Sequence, residues 1–376
     1  MKRLVLLGGG HAHVKVLADL AEQPLAGWDV HLISPYRRQI YSGMLPGWVA
    51  GHYPIEACAI RLDTLAGRAG VAFHETAGLS LDPTAQAVQC ADGTTLRYDT
   101  LSIDTGPMPA LGDLPGSAAH TLPVRPIEQF IAAWPALVDR ILGRCQRFDL
   151  VILGAGAAGI ELAFAIQRRA VTDGWSHLFI TVLGGGDLPL PGAPDKTRRH
   201  TARLLAQRGI VWKGASRATR VEAGLVHLQA GPPLTFDACI ASTGAAAPSW
   251  PAASGLATDE RGFIRVSRSL QSTSHPNIFA AGDVAAYADM RPKSGVFAVR
   301  AGPVLAGNLR AFCEGTRLQA WTPQSRALYL ISTGDRHALA TWGRWSWSGS
   351  WVWQWKDRID RQFMRRFGTA PQETLP

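Results

Sequence analysis

Short apolar runs alternate with longer amphipathic stretches along this chain, and in two places a glycine-rich turn separates them. Residues 3–7 form an apolar run that ends in such a turn, and a helix-like stretch follows over residues 13–22. Residues 150–153 and 160–170 repeat that order around the second turn. Strands that alternate with helices across glycine turns predict parallel βαβ units, and therefore an α/β fold with doubly wound sheets.

The two halves also continue and close alike. Apolar runs over residues 29–34 and 178–184 predict a second strand in each half. Each half then ends in an aromatic residue that stands seven positions before a Thr-Gly pair: Tyr98 before Thr105-Gly106, and Phe236 before Thr243-Gly244. This duplication predicts two Rossmann-like dinucleotide-binding domains.

Glycine in these turns has a physical role if a pyrophosphate binds there. A pyrophosphate lies against the first turn of a helix, where free N–H groups and the helix dipole stabilise its charge. Glycines allow the tight turn and the close approach of backbone to phosphate. The candidate residues are Gly8, Gly9, Gly10, His11 and Ala12 in the first copy, and Gly154, Gly156 and Gly159 in the second. Glycine turns also occur without a ligand, but two matches in the same context favour binding.

Both copies depart from the full fingerprint. His13 stands where the first copy would have its third glycine. An acidic residue about 20 residues further on, which would bind an adenosine ribose, is replaced by Ser34 in the first copy and by Gly184 in the second. A serine hydroxyl can still bind a ribose, whereas glycine supplies no side chain. The pattern therefore does not choose between NADH and NADPH.

A third marker follows the second half of the duplication. A short apolar strand ends in Gly282-Asp283, and residues 295–312 then have a helix-like pattern. A carboxylate at a strand end can accept a hydrogen bond from the ribityl chain of a flavin. The positive end of the following helix would stabilise negative charge on a reduced flavin. The candidate flavin contacts here are Gly282, Asp283, Val296, Phe297 and Lys293, the last with an exposed turn lysine as the alternative.

The order of these markers resembles the pyridine nucleotide-disulfide oxidoreductase superfamily, a class of flavoproteins with two dinucleotide-binding domains, over residues 1–312. Within it, the chain resembles the branch of type II NADH dehydrogenases and sulfide:quinone reductases. More narrowly, it resembles a group found fused to selenide, water dikinase. The motifs behind that likeness are GGGHAHV at residues 8–14, YSGMLPG at 41–47, RPKSGV at 291–296 and WKDRID at 355–360.

The resemblance implies roles for the candidate residues. In the first copy, FAD would be held by Gly8, Gly10, Ser34, Pro46, Thr105, Gly106 and Asp283. In the second copy, NADH or NADPH would be held by Gly154, Gly156, Gly159 and Glu161. The resemblance names no catalytic side chain, because the flavin carries the chemistry.

The resemblance implies an FAD-dependent oxidoreductase that passes hydride from NAD(P)H to the flavin, and electrons onward to a quinone-like acceptor. Two departures accompany it: no cysteine pair is present for dithiol chemistry, and Ala165 stands where type II NADH dehydrogenases commonly carry a second acidic residue. Two alternatives stay open. One is a flavin enzyme that acts on a sulfur or selenium species, and the other is a nucleotide-binding interaction protein with little turnover.

The chain length of 376 residues suits two domains and a tail. We expect the first part of an FAD-binding domain in residues 1–112 and a NAD(P)-binding domain in residues 113–250. The second part of the FAD-binding domain is expected in residues 251–315, and a C-terminal interface or membrane-contact segment in residues 316–376.

Composition and charge narrow the partners. A net charge of +9 suits an acidic partner such as a nucleotide or an anionic lipid, but no nucleic-acid-binding module accompanies it. Five scattered cysteines, and two histidines without further ligands at useful spacing, predict no metal site. The N-terminal apolar run is too short for a secretion signal, and no apolar run is long enough to span a bilayer.

Tryptophan is concentrated near the C-terminus, where six of the 13 fall between residues 342 and 355. As a helix, residues 351–367 would be amphipathic and net positive, a pattern suited to a membrane headgroup region. We predict a cytoplasmic protein with a peripheral contact on the inner face of the cell membrane, through Trp351, Trp355, Phe363 and Phe367. The alternative is that this face packs on the protein's own core or on a second subunit in a homodimer.

Overall fold

The computed structural model describes residues 1–112, 114–289 and 292–368. The four helices that the sequence predicts are present in it. Arg291, the first residue of the RPKSGV motif at 291–296, lies outside the described residues. α1 and α6 begin earlier than predicted, because Gly10 and Gly156 are their N-caps. The helices are α1 (His11–Glu22), α2 (Leu45–Val49), α3 (Leu62–Arg68), α4 (Ser117–His120), α5 (Ile127–Leu142), α6 (Ala157–Asp173), α7 (Asp195–Gln207), α8 (Trp250–Ala253), α9 (Gly295–Glu314) and α10 (Ser350–Phe367).

The strands are short and most belong to small sheets. Those up to the start of the second half are β1 (Lys2–Leu7), β2 (Trp28–Ser34), β3 (Arg38–Ile40), β4 (Ala59–Arg61), β5 (Ala72–Glu75), β6 (Gly78–Asp82), β7 (Ala87–Cys90), β8 (Thr95–Arg97), β9 (Thr100–Ile103), β10 (Met108–Pro109) and β11 (Leu122–Pro123). Those that follow are β12 (Phe148–Leu153), β13 (Leu178–Leu183), β14 (Val211–Lys213), β15 (Ala218–Glu222), β16 (Leu225–Leu228), β17 (Leu234–Thr235), β18 (Ala238–Ala241), β19 (Ala245–Ala246), β20 (Ile264–Arg265), β21 (Ile278–Ala280), β22 (Ala285–Ala286), β23 (Leu328–Ser332), β24 (Ala338–Trp342) and β25 (Trp345–Gly349).

Two five-stranded parallel sheets carry the predicted duplication. The first has the order β21-β9-β1-β2-β5, and the second has the order β11-β18-β12-β13-β14. The central strands β1 and β12 are apolar and buried almost throughout, as expected for parallel strands covered by helices on both faces. The Rossmann-like α/β fold is therefore confirmed.

Each half also inserts a three-stranded antiparallel sheet before its last parallel strand. Strands β6 to β8 precede β9 in the first half, and β15 to β17 precede β18 in the second. After the second half the chain returns to the first sheet through β21, which pairs with β9. Helix α9 follows and packs against α1. The four-segment division of the chain stays a prediction on these observations.

The C-terminal segment forms an antiparallel sheet, β23-β24-β25, that α10 covers. Val352 of α10 packs against Ala338 and Ala340 of β24. The predicted lipid-facing role was wrong for Phe363 and Phe367, since both pack against the core around the first sheet. Their helix lies against α1, so that side of α10 is covered by protein rather than presented outward. No helix of the described residues is long and apolar enough to cross a bilayer.

Candidate functional site

The first glycine turn joins β1 to α1 and leaves no room for a side chain. Gly8 has a φ of +96°, and a Cβ there would lie 2.5 Å from the backbone oxygen of Asp104. A Cβ at Gly10 would lie 2.3 Å from the carboxylate of Asp104. The turn therefore permits the close backbone approach that a phosphate-binding turn requires.

Asp104 follows β9 and fills the space at the start of α1. Its Oδ2 accepts hydrogen bonds from the backbone N–H groups of Ala12, at 2.8 Å, and His13, at 3.1 Å. Burial raises the pKa of Asp104 to about 7, although these two N–H groups act in the opposite direction. Asp104 was not among the residues predicted from the sequence. The sequence feature that could have identified it is its position directly before Thr105-Gly106, where the second copy has a serine.

The other residues predicted for the first copy lie beside the same turn. Ser34 ends β2, and its Oγ lies 3.3 Å from the position of a Cβ on Gly9. The Cα of Thr105 lies 2.6 Å from the position of a Cβ on Gly8, and Gly106 follows it with a φ of +74°. The fold thus brings Ser34, Thr105 and Gly106 to the first glycine turn from two separate strands.

Asp283 lies between β21 and β22 and faces the start of α9. Its carboxylate accepts hydrogen bonds from Nη1 of Arg125, at 3.3 Å, and from the backbone N–H of Ser294. Burial raises the pKa of Asp283, and the positive charges of Arg125 and Lys293 work against that shift. A carboxylate is therefore present beside the N-terminus of α9, as the sequence predicts. Arg125 was missed, because its contact with Asp283 joins residues far apart in the chain.

Lys293 is half-buried and differs from the exposed turn lysine that was the alternative. Its Nζ donates a hydrogen bond to the backbone oxygen of Ala285 and lies 3.9 Å from the ring centroid of Phe263. Burial lowers the pKa of Lys293 to about 8, while the carboxylate of Asp283 acts to raise it. The side chain is thus held near Asp283 at the start of α9.

The start of α9 meets the segment that contains Pro46. A Cβ on Gly295 would lie 3.5 Å from Oγ of Ser42, and Pro46 is buried in the first turn of α2. Val296 and Phe297 occupy the first turn of α9, and Phe297 is buried. These predicted flavin contacts are therefore close together.

His11 connects the first glycine turn with the C-terminal helix. Its ring lies 5.7 Å from that of Tyr41 and 6.1 Å from that of Phe363, measured between centroids. Burial lowers the pKa of His11 to about 4, so the imidazole is neutral near pH 7. Its Nε2 is buried and has no hydrogen-bond partner among the described residues. It is a polar atom available to a ligand.

The second glycine turn has the same backbone arrangement. Gly154 has a φ of +112°, and a Cβ there would lie 2.2 Å from the backbone oxygen of Ser242. A Cβ on Gly159 would lie 2.0 Å from the backbone oxygen of Gly154. Gly156 is the N-cap of α6 and carries no side-chain cap. Within the described parts of the chain, no side chain accepts a hydrogen bond from the first turn of α6.

Glu161, on the first turns of α6, lies near charged residues of the C-terminal helix. Its Oε1 accepts a hydrogen bond of 2.8 Å from the backbone N–H of Ser332, at the end of β23. Burial raises the pKa of Glu161 to about 7, and the positive charge of Lys356 acts to lower it. Its predicted role in binding nicotinamide stays a prediction, and the structure adds an electrostatic interaction with Lys356 of α10.

A buried ionic pair on α10 lies next to both halves of the molecule. Nζ of Lys356 donates to Oδ2 of Asp360, at 2.7 Å, and to the backbone oxygen of Gly43. Burial alone would lower the pKa of Lys356, but the carboxylates of Asp360 and Glu161 outweigh it and raise the pKa. Asp360 also accepts a hydrogen bond from Tyr41, whose pKa is raised by burial and by this carboxylate. The sequence showed these residues only as part of a motif, without a role.

The cysteines of the described residues form no disulfide. The five cysteines are unpaired, and three of them are buried. Burial raises the pKa of Cys58 to about 12, and that of Cys239 likewise, so neither is a ready thiolate. No group of three or more His, Cys, Asp or Glu side chains in the described ranges is arranged to hold a metal ion.

Residues 2–302 match the family described as Pyridine nucleotide-disulphide oxidoreductase. The chain belongs to this family. The match includes both glycine turns and Asp283, and it confirms the superfamily on which the sequence resemblance rests. Predictions of an oxidoreductase that uses FAD with NADH or NADPH are confirmed with it.

Two curated relatives are similar in sequence. The NADH dehydrogenase-like protein YutJ of Bacillus subtilis is 24% identical over 251 residues, which span 65% of this chain and 65% of that protein. Less than two thirds of that relative is therefore matched. The demethylphylloquinone reductase NdbB of Synechocystis sp. is 24% identical over 294 residues, which span 75% of this chain and 71% of that protein. Both agree with the predicted branch of the superfamily.

One solved structure is similar over almost the whole fold. The sulfide:quinone oxidoreductase of Aquifex aeolicus superimposes with a TM-score of 0.81 over 99% of this chain and 93% of that one, at 18% sequence identity. At this identity the likeness concerns the fold. It includes the C-terminal sheet and α10, which lie beyond the residues of the family match.

The residues of the first half fit an FAD molecule on three observations. A Cβ on Gly8 or Gly10 would meet Asp104, so only glycine fits where backbone must approach a pyrophosphate. Asp283 is an acceptor, as a ribityl hydroxyl requires. Helix α9 has 20 residues and no acidic side chain in its first turn, so its positive end stays available. The unpaired Nε2 of His11 adds a buried polar atom at the same place.

Proposed function

We propose that this protein is an FAD-dependent NAD(P)H oxidoreductase whose electron acceptor is a quinone. The observation that carries the proposal is the pair of glycine turns, one beside flavin-type residues and one with an open helix N-terminus. The name of the Synechocystis relative, a demethylphylloquinone reductase, supports the acceptor class.

In the proposed reaction the first half binds FAD and fixes its orientation. A bound FAD would supply the chemistry of hydride acceptance from the nicotinamide and of electron transfer to the acceptor. Asp283 would accept a hydrogen bond from the ribityl chain, and Arg125 holds that carboxylate in place. The N-terminus of α9 would stabilise negative charge on the reduced ring, because its dipole points its positive end there.

The second half would bind the nicotinamide nucleotide at the open N-terminus of α6. The N–H groups of that turn have no side-chain acceptor within the described residues, so a pyrophosphate can take them. Gly184 directly follows β13 and supplies no carboxylate for a ribose. A Cβ on Gly184 would meet Trp212 at 2.4 Å, so the ribose contact must come from another residue. NADH and NADPH therefore stay equal candidates.

Protons for quinone reduction would come from the buried group that Glu161 of α6 forms with Lys356 and Asp360 of α10. A two-electron reduction of a quinone also takes up two protons. Glu161 has a pKa of about 7 and lies near Lys356 and Asp360, so this group can change protonation near neutral pH. Lys356 also contacts Gly43, in the segment before Pro46, which brings the group to the proposed flavin side.

We also propose where the protein meets a membrane. Six exposed apolar side chains form a tryptophan surface on β24, β25 and α10: Trp342, Trp345, Trp347, Trp351, Trp355 and Ile359. Trp342 pairs with Trp345 across the two strands, and Trp347 pairs with Ala340. All three tryptophans lie on the sheet face against which α10 packs, and they remain exposed there. Trp351, Trp355 and Ile359 follow at four-residue spacing along α10, which places them on one side of the helix.

This tryptophan surface suits a headgroup region better than a dry protein interface. Arg344 and Arg358 are exposed within it and would favour an anionic leaflet. Tryptophan prefers the boundary between water and hydrocarbon. A peripheral contact here would give the flavin enzyme access to a lipid-soluble acceptor. A second subunit that covers the same surface is the competing occupant, and it predicts a homodimer in solution.

An anaerobic donor titration tests the proposed function. The purified protein is expected to be yellow, and NADH or NADPH should bleach the flavin absorbance with one equivalent per FAD. A soluble quinone added afterwards should restore the oxidised spectrum. A yellow protein that sulfide or selenide bleaches, but neither nicotinamide nucleotide does, would favour the sulfur or selenium alternative. A colourless protein that binds no added FAD would contradict the proposal outright.

A further inference from the structure

A carboxylate occupies part of the helix N-terminus at which the FAD pyrophosphate is proposed to bind. Helix N-termini stabilise anions through their free N–H groups and their dipole. In α1, Oδ2 of Asp104 already accepts the N–H groups of Ala12 and His13. The carboxylate of Asp104 therefore lies at the place where the doubly charged pyrophosphate of FAD is proposed to bind.

The second glycine turn gives a matched reference within the same molecule. Ser242 precedes Thr243-Gly244, as Asp104 precedes Thr105-Gly106. The backbone oxygens of Asp104 and Ser242 meet the first glycine of their own turns in the same way. A serine carries no charge, so the difference between the two turns is one carboxylate.

The second oxygen of that carboxylate is directed to glycines. A Cβ on Gly10 would lie 2.3 Å from Oδ1 of Asp104, and a Cβ on Gly282 would lie 2.4 Å from it. Oδ1 accepts no hydrogen bond from the described residues, whereas Oδ2 accepts two. A proton on Oδ1 would therefore disturb no existing contact, and it would add an O–H donor.

No described cation is bonded to Asp104. Its charged neighbour Asp283 is negative and works against ionisation, and Arg125 is bonded to that neighbour instead. Burial keeps the imidazoles of His11 and His13 neutral near pH 7, since it lowers the pKa of each to about 4. The remaining charged or titratable groups around this cluster are Lys293, which is bonded to Ala285, and Tyr287, whose hydroxyl donates to the backbone oxygen of Gly282.

We propose that FAD binds this protein together with one proton, which is taken up by Asp104. The inference rests on the proposed function, since it needs FAD at the first glycine turn. A proton from solvent adds to Oδ1 of the ionised carboxylate, and no other bond forms or breaks. The neutral carboxyl keeps its contacts with α1 through Oδ2, and its O–H donates to a phosphate oxygen. Asp104 is thus a positioning residue that makes the pyrophosphate site depend on pH.

Calorimetry on the full chain, freed of flavin, measures that proton directly. FAD is titrated at pH 8.5 in two buffers of different ionisation enthalpy, such as Tris and phosphate. Uptake of about one proton per FAD is expected, and the FAD Kd should weaken by up to about tenfold per pH unit above pH 8. Wild-type protein that binds FAD with equal enthalpy in both buffers, after correction for buffer heat, would overturn the inference.

Two substitutions assign the proton to a residue. Asp104→Asn should abolish the uptake and make the FAD Kd independent of pH between 7 and 9, with binding tighter than wild type at pH 9. Asp104→Ser, which copies Ser242, should behave alike. Asp283→Asn should weaken FAD binding but keep the proton uptake. If the uptake disappears in Asp283→Asn and persists in Asp104→Asn, the assignment is wrong. Failure of wild type to bind FAD at any pH would instead contradict the proposed function.

Discussion

The two glycine turns of this molecule share a backbone conformation. They differ in what is bonded to the N–H groups at the start of the helix that follows each turn. In both, a glycine with positive φ lies against the backbone oxygen of the residue that follows a parallel strand, Asp104 or Ser242, and a second glycine caps the helix. In the first, the N–H groups of α1 are bonded to Asp104, and Phe363 of α10 packs on His11 nearby. In the second, the start of α6 is open among the described residues.

The repeated sequence pattern encodes the backbone geometry of the turns, whereas side chains from other elements determine what each turn binds. The first turn is surrounded by contacts from β9, α9 and α10, which suits a cofactor that stays bound. At the second turn, no side chain of the described residues caps the start of α6, which suits a substrate that binds and leaves. A resident flavin and an exchanging nicotinamide nucleotide need this asymmetry.

The largest expected effects come from adding a methyl group to each turn. Gly8→Ala and Gly154→Ala place a Cβ 2.5 Å and 2.2 Å from backbone atoms, at positive φ in both cases. Each should lower the free energy of unfolding by about 2–4 kcal/mol. Gly8→Ala should also yield colourless protein. Gly154→Ala should stay yellow but no longer be bleached by NADH or NADPH.

Absorbance at purification and an anaerobic donor titration read out both variants. Gly67→Ala is the control, because a Cβ there meets nothing within 4 Å and the position is helical. It should be neutral or slightly stabilising. Equal loss of colour in Gly8→Ala and Gly154→Ala would remove the functional distinction between the turns.

The next effect concerns the buried pair on α10, which is shared by the two halves. Lys356→Met leaves the carboxylate of Asp360 buried without its partner, and we expect a loss of about 3–5 kcal/mol in urea unfolding. The double variant Lys356→Met/Asp360→Leu should recover most of it, because the buried carboxylate of Asp360 is removed together with its partner. Arg358→Met, on the exposed side of the same helix, is the control and should change stability little. A single variant as stable as wild type would mean that α10 does not depend on this pair.

A smaller effect is the pH dependence contributed by one carboxyl in each half. Burial raises the pKa of Asp104 and of Glu161 to about 7, above their values in an unfolded chain. The folded protein therefore binds more protons than the unfolded one between about pH 4 and 7, and stability falls as pH rises through that window. Asp104→Asn and Glu161→Gln should each remove part of the slope, by about 1–3 kcal/mol between pH 5 and 8.

Urea unfolding at pH 5, 6, 7 and 8 measures these slopes. Glu75→Gln, at a half-exposed carboxylate that pairs with Arg37 on the surface, is the control for the substitution itself. If only one of Asp104→Asn and Glu161→Gln flattens the dependence of the unfolding free energy on pH, only that carboxyl contributes to it. The prediction of one such carboxyl in each half would then be wrong.

The smallest effect on stability, and a specific one on location, is expected at the tryptophan surface. Trp345→Ser and Trp351→Ser remove side chains that are 63% and 51% exposed, so stability should change by about 0.5 kcal/mol or less. Sedimentation with vesicles that contain anionic lipid should fall several-fold for each. Leu142→Ser, at another exposed apolar position, should bind like wild type. Loss of a dimer in place of vesicle binding would identify a second subunit as the occupant.

Much of the fold could be predicted from the sequence, because the evidence for it is local. An apolar run, a glycine turn and a helix-like stretch lie within about 20 residues of one another, and they recur. The candidate glycines, Ser34, Thr105 and Asp283 were found for the same reason. The faces of α10 were predicted less well. A helical wheel ranks residues by polarity. It could not anticipate that Lys356 and Asp360 would be buried as a pair, or that Phe363 and Phe367 would pack on the core while Trp351 and Trp355 remained exposed as predicted.

By itself the sequence determined two βαβ units, the backbone turns that open them, and the family to which they belong. Only the tertiary structure decided what stands beside each turn. Asp104 reaches the first turn of α1 from 91 and 92 residues away along the chain, and Lys356 reaches Gly43 from 313 residues away. Burial and charge pairing depend on such distant contacts. The protonation of these groups is therefore a property of the folded molecule, which local pattern cannot contain.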